Sequence, residues 1–477
     1  MRRAVAAGIP AGLAGGLVFG AAMTQIGVLP TIAGIVRADS AVVGFVVHMC
    51  VAAAIGAGFA LLVARQRPGA GETLFWGLTY GALWWFLGPL TLLPLFLGDP
   101  VEWTLASAQA EFPGLLGHLL YGATTALAYV ALTQPRTLLP IRGAVLRGAA
   151  AGLLPAWLLA ASLASENDLL ATSTAMSDAP AEVSMVVTLT VGAVAGAGFA
   201  ILYPRLVDSA GVSLIRGVVY GFLLWVVIPL TLLPVLEGRG LSWSLEETRA
   251  GFETLPGYLL LGGLLGLGYH VLCALARLLL SDDVRELGRE GAGARGLRAL
   301  GQGALAGLVG GLLFTLIMLQ IDFLPTVAQL VGSDSSVTGF LVHLVIANVI
   351  GASYGVLFRG QSYDVGSAVG WGVAYGFCWW VLGALTLLPV FLGGSPQWTA
   401  AGAAAAYPAL IGHLLYGAGL GAIFYVLEAR RSPWWVSRTQ VEAERRERRR
   451  RYVLTSAPAL WALVVVVALV IPILLAG

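Results

Sequence analysis

Apolar stretches of roughly 20 residues, the length needed to cross about 30 Å of hydrocarbon, follow one another along this chain. They fall near positions 5–28, 41–64, 74–98, 107–133, 144–164, 183–203, 212–236, 254–280, 300–321, 337–358, 367–393, 404–427 and 453–476. Polar residues are confined almost wholly to the short connections between them. This pattern predicts an all-α polytopic membrane protein with 13 transmembrane helices. The first stretch follows Met1-Arg2-Arg3 and has the outline of a signal peptide, but its pattern recurs near residue 300, so it is read as a spanning helix.

Within this pattern one unit repeats. The third helix of each copy carries it most clearly. Trp76-Gly77, Tyr80-Gly81, Trp85 and the stretch from Pro89 to Pro94 return as Gly217, Tyr220-Gly221, Trp225 and Pro229 to Pro234. They return again as Trp371-Gly372, Tyr375-Gly376, Trp380 and Ala384 to Pro389. A loop tryptophan keeps step: Trp103, Trp243 and Trp398 each precede His118, Tyr258 and His413 by fifteen residues. The expected organisation is three parallel four-helix repeats, at 1–135, 142–280 and 296–430, then a basic interfacial segment at 431–452 and a C-terminal spanning helix at 453–477. The first and third copies are the more alike, sharing Met23-x-Gln25 with Met318-x-Gln320 and Leu29-Pro30-Thr31 with Leu324-Pro325-Thr326.

Composition agrees with a lipid-embedded class: 58% of the 477 residues are hydrophobic and only 11% charged, whereas soluble chains carry about 25% charged residues. The 63 glycines are read as sites of close helix approach. Cys50, Cys273 and Cys378 lie in apolar runs without metal-binding spacing and are read as small core residues. The chain has no lysine. Of its 27 arginines only Arg37, Arg239 and Arg249 fall in loops after odd-numbered helices, which places the N-terminus inside, and the thirteenth helix places the C-terminus outside. This is the orientation expected in a bacterial-type cytoplasmic membrane. Asp39, Asp99, Glu102, Glu111, Glu166, Asp168, Glu246 and Glu247 lean to the outer side. Trp434-Trp435 followed by Arg445-Arg446 and Arg448 to Arg451 reads as an interfacial helix meeting anionic lipid, not as a nucleic-acid site.

Ionisable residues inside spans are costly and are functional candidates by default. No Asp or Glu falls near the middle of a span, which argues against a carrier coupled through a midplane carboxylate. Histidine is the exception. His48 and His118 occupy the second and fourth helices of the first copy, and His343 and His413 the same positions of the third. Both members of a pair are expected at similar depth toward the outer face. Each lies on a stripe of small residues, Gly44, Ala52 and Gly56 around His48, and Gly114, Gly122 and Ala126 around His118. Thr188 and Tyr258 stand at these places in the middle copy, and the fifth histidine, His270, is read as a core residue.

Three readings of the pairs are open. In one the imidazoles hydrogen-bond across helices, with Gln25, Thr91, Gln320 and Thr386 as polar neighbours. In another each pair supplies the axial ligands of a haem b. In the third they line a proton or metal-ion path. The prolines of the third helices are expected to kink or end those helices, with Thr91, Thr231 and Thr386 near the freed carbonyls.

Each copy resembles the YagU-like family of bacterial inner-membrane proteins. The likeness lies in His48 ten residues before Gly58-Phe59, in Trp76-Gly77 leading to Pro89 and Pro94, and in Gly-His-Leu at 117–119 and 412–414. The resemblance implies an inner-membrane location and a link to acid resistance, and supplies no catalytic mechanism. No nucleophile–base set, phosphate loop or dinucleotide fingerprint is present. The expected function is therefore non-enzymatic: an accessory or structural subunit of a larger inner-membrane complex, respiratory complexes included. A haem- or metal-binding electron carrier and a channel or permease for a small solute are the alternatives.

Overall fold

The computed structural model describes residues 1–101, 103–163, 181–204, 209–280, 292–429 and 438–476. Among the described residues all regular structure is helical, and twelve helices are long and apolar enough to cross a membrane. The long helices are α1 (Arg2–Ile26), α2 (Ala41–Val63), α3 (Ala70–Leu97), α4 (Phe112–Thr133), α5 (Arg142–Leu163), α6 (Ala181–Leu202) and α7 (Ala210–Leu236). They continue as α8 (Leu255–Leu280), α9 (Ala292–Gln320), α10 (Ser336–Phe358), α11 (Val365–Phe391), α12 (Tyr407–Ala429) and α13 (438–475). A helix, α5, lies where the fifth span is expected, but it carries Arg147 and Pro155 and is not one of the twelve.

Glycine is a weak helix former in water, yet in lipid an unpaired backbone group costs more than glycine's lost entropy, so Gly-rich helices persist. Four helix starts, at 105, 245, 365 and 400, are closed by short polar side chains. Thr104 and Thr399 accept the amides of Ser107 and Gly402, and Ser244 with Glu247 and Asp364 with Ser367 form reciprocal capping boxes.

The prolines of α3, α7 and α11 neither end nor break their helices. The chain passes through a π turn, at Gly88–Leu92, Ile228–Leu232 and Trp380–Leu387, and then resumes α-helix. Pro94, Pro234 and Pro389 lie at the start of the resumed pieces, where a missing N–H is tolerated. A threonine hydroxyl closes each π turn by donating to the carbonyl five residues back: Thr91 to Phe86, Thr231 to Val226 and Thr386 to Val381, each at 2.8 Å. A loop tryptophan then donates to each threonine, Trp103 at 3.3 Å, Trp243 at 3.0 Å and Trp398 at 2.9 Å.

The chain divides into two compact units. The first comprises Met1–Arg205, Val219–Leu265 and Ala457–Gly477. In it α1 packs on α2 and α4, α3 on α4, and α5 on α6. The crossings are made at glycine: a Cβ on Gly12 would come within 2.7 Å of the Gly56 Cα, and one on Gly77 would fall 2.6 Å from the Ala126 Cβ. The small-residue stripe of α2 therefore faces α1, and that of α4 faces α3. Residues 457–465 of α13 pack on α3. The second unit comprises Leu206–Val218 and Gly266–Ser456. There α9 packs on α10 and α12, and α11 on α12, again through Gly307 against Gly351 and Gly372 against Gly417.

Large apolar residues that remain exposed recur at helical spacing, as Val42 and Val46 on α2 and Leu305, Val309, Leu312, Leu316 and Leu319 on α9. These are faces suited to lipid. Of the cysteines, Cys273 is buried, Cys378 partly so, and Cys50 is exposed on α2 instead of lying in the core.

Candidate functional site

In the first unit α2 and α4 carry His48 and His118 against one phenylalanine of α1. The ring of Phe19 packs edge-on against both, with centroids 5.6 Å from His48 and 4.8 Å from His118. Phe19 reaches this place because Gly117 has no side chain; a methyl group there would collide with the phenyl ring. The second unit repeats the arrangement with Phe314, whose centroid lies 5.3 Å from His343 and 4.7 Å from His413, over Gly412.

Each imidazole has a backbone partner. His48 Nε2 lies 3.0 Å from the Gly16 carbonyl of α1, and His343 Nε2 lies 3.0 Å from the Gly311 carbonyl of α9. A carbonyl only accepts, so Nε2 carries the proton in both and clamps one helix to the next. His118 and His413 donate from Nδ1 to carbonyls of their own helices, Gly114 and Ala409, at 2.8 Å. Their Nε2 atoms point elsewhere, toward Gly88 and Gly383 of the π turns, where an added Cβ would stand 3.7 and 3.9 Å away.

Each pair borders a cavity, of about 350 Å³ in the first unit and about 360 Å³ in the second. The walls are mainly apolar, Met318, Ile350 and Phe391 among them in the second unit; in the first, Glu111 and Thr31 add polar groups. Gln25, Gln320, Thr91 and Thr386 are not hydrogen-bond partners of the histidines. Both glutamines are exposed, and both threonine hydroxyls are spent on the π turns.

A haem b does not fit this arrangement. Two axial ligands must aim bare nitrogens at one iron from opposite faces of an open slot. Here His48 and His343 commit Nε2 to a neighbouring helix, an aromatic ring packs against both members of each pair, and Gly44, Gly56, Gly117 and Gly122 are filled by backbone or by that ring. Among the described residues no three His, Cys, Asp or Glu side chains gather as a metal-ligand set.

Sequence reasoning missed Phe19 and Phe314, although each stands four residues before the shared methionines Met23 and Met318, a signal within reach. It also missed two arginines. Arg216 of α7 is buried, 2% exposed, and donates to the Thr455 carbonyl in the π turn Tyr452–Ser456 of α13. Arg249 donates to the Leu474 carbonyl at 2.8 Å and to that of Ala476, while Gln109 donates to Ala476 at 2.7 Å. Together they close the last turn of α13, where carbonyls lack helical partners. His270 has Nδ1 3.4 Å from the Ser213 hydroxyl.

Of the basic segment, Trp434, Trp435 and the Arg445 side chain lie outside the described residues. Residues 438–451 are helical and run directly into the π turn that opens the apolar part of α13. Arg446 and Arg448 pair with Glu442 at 3.6 Å and Glu444 at 2.7 Å, and Arg449 stands over the Tyr363 ring at 5.8 Å. Comparison of the chain with protein-family models, curated proteins and solved structures finds no match in any of the three.

Proposed function

We propose that this chain is a non-enzymatic integral membrane protein, an accessory or structural subunit of a larger assembly in a bacterial-type cytoplasmic membrane. One observation carries the reading: all four paired histidines are engaged by helix backbone, His48 and His343 across to a neighbouring helix and His118 and His413 within their own, so one member of each pair is spent on holding two helices together. Long exposed apolar faces such as that of α9 offer surface for lipid or for other membrane subunits. The solute-path alternative has less support, because the cavities beside His48 and His343 are mainly apolar and Thr91 and Thr386 do not face them.

The same proposal includes three parallel four-helix repeats followed by a thirteenth helix, with the N-terminus inside and the C-terminus outside. Supporting it are the bonds that recur in register, such as Trp85 to the Glu111 carbonyl at 2.8 Å, Trp225 to Gly251 at 3.4 Å and Trp380 to Ala406 at 3.0 Å. Relationship to the YagU-like family and contact of Arg446 and Arg448 to Arg451 with anionic lipid belong to this proposal too, the latter supported by the exposure of these arginines.

The test is a native gel of gently solubilised source membranes with the tagged chain expressed from its own locus. Migration with other membrane polypeptides in one band, retained after cross-linking and purification, is the expected result. Migration as the isolated chain at every detergent concentration refutes a subunit role.

A further inference from the structure

The neutral imidazole has one proton, and in His118 and His413 it is committed at Nδ1 to a carbonyl of the same helix. Nε2 is therefore a bare acceptor. It stands near a π-turn glycine, His118 and His413 both line the cavities, and the arrangement occurs in both units. An acceptor in a mainly apolar wall is poorly satisfied unless a donor enters with an apolar body.

We propose that each cavity binds a membrane-soluble molecule with an apolar body and a hydroxyl head, the hydroxyl donating to Nε2 of His118 or His413. The donor requirement selects alcohols and phenols over ketones, ethers and quinones, which only accept. About 360 Å³ in the second unit is within the usual range of about 300–1,000 Å³ for small-molecule sites. The apolar walls, among them Phe391 and Leu387, suit a prenyl or alkyl chain. Glu111 borders the cavity of the first unit, whereas no carboxylate lines that of the second, so the second is the cleaner place for a test.

The probe is a photoreactive, alkyne-tagged farnesol, used beside its methyl ether on the full-length protein in lipid nanodiscs, with labelled peptides mapped by mass spectrometry. The alcohol is expected to label residues of both cavities with at least about tenfold higher apparent affinity than the ether, the value of one hydrogen bond to a buried acceptor. His413→Asn keeps a donor for the Ala409 carbonyl but has no second ring nitrogen; in the cavity of the second unit it should bring the alcohol down to the level of the ether. Gly383→Val narrows the cavity while leaving His413 in place, and should abolish labelling there while the first unit still labels, which also reports that the protein is folded. Competition by 1-dodecanol or by a short-chain quinol separates the aliphatic from the phenolic source, and displacement by either supports the site. Equal labelling by alcohol and ether, labelling unchanged by Gly383→Val, or displacement by neither competitor overturns the proposal.

Discussion

Replacing His48 separates a helix clamp from a ligand-binding role. In the clamp, Nε2 donates to the Gly16 carbonyl at 3.0 Å while the ring packs edge-on against Phe19, and the side chain is 7% exposed. His48→Ala removes an interhelical hydrogen bond worth about 0.6–1.7 kcal/mol in a membrane. It also leaves a void against Phe19, and large-to-small changes in packed interiors cost about 2–5 kcal/mol for side chains of comparable size. An imidazole is at the low end of that range, so the expected total is about 2–4 kcal/mol. His48→Gln places an amide N–H near the lost Nε2–H and fills part of the void. It should recover the hydrogen bond and leave a deficit of about 1 kcal/mol. The assay is reversible unfolding in mixed micelles titrated with a denaturing detergent, followed by helicity and by tryptophan fluorescence. The parallel pair His343→Ala and His343→Gln should give the same ordering, since His343 meets Gly311 at the same distance. Because the two sites share no partner, the double alanine variant should be additive within about 0.5 kcal/mol. If glutamine is as damaging as alanine at both positions, the ring is needed for something other than its N–H, and the clamp is refuted. If neither substitution moves the midpoint, the carbonyl contacts are energetically idle.

Three further outcomes follow from packing and capping. Gly417→Leu places a branched side chain against the Gly372 backbone and should separate α11 from α12, costing more than the about 1–3 kcal/mol of ordinary overpacking; the same unfolding titration reads it. Trp398→Phe should destabilise by about 1 kcal/mol, and Trp103→Phe by clearly less, because Trp398 is 7% exposed and bonds Thr386 at 2.9 Å, whereas Trp103 is 65% exposed and bonds Thr91 at 3.3 Å. Equal effects would show that the π turns do not depend on these bonds. Arg249→Ala should raise amide exchange over residues 466–475 with little change elsewhere, since it removes the cation that closes the last turn of α13. Unchanged exchange there would mean that Gln109 suffices.

Much of the candidate site was legible in order along the chain and illegible in its partners. His48 and His118, and their copies His343 and His413, stand out because histidine is rare inside apolar runs and these recur at matched places. Glutamine and threonine looked like their natural partners, being the polar side chains nearest in the pattern. In the structure the partners are backbone carbonyls of Gly16 and Gly311, which carry no signature in residue type. Thr91 and Thr386 are taken up locally, because a π turn leaves a carbonyl that a hydroxyl five residues on can reach.

The sequence by itself determined the helical class and, for twelve of the thirteen expected spans, where a helix long and apolar enough to cross a membrane falls. Runs of some 20 apolar residues have one stable form in hydrocarbon, the helix, since only there does each backbone group find a partner within its own segment. It also marked where helices approach closely, through Gly12, Gly56, Gly77 and Gly122. Tertiary structure alone decided what those approaches produce: which carbonyl meets His48, that Phe19 packs against both paired rings, and that Arg249 caps a helix 225 residues away in sequence. The physical reason is that lipid dictates burial by length, whereas a hydrogen bond between helices depends on their rotation and axial offset. A shift of one residue, about 1.5 Å, turns a helix face by about 100° and would take His48 away from Gly16.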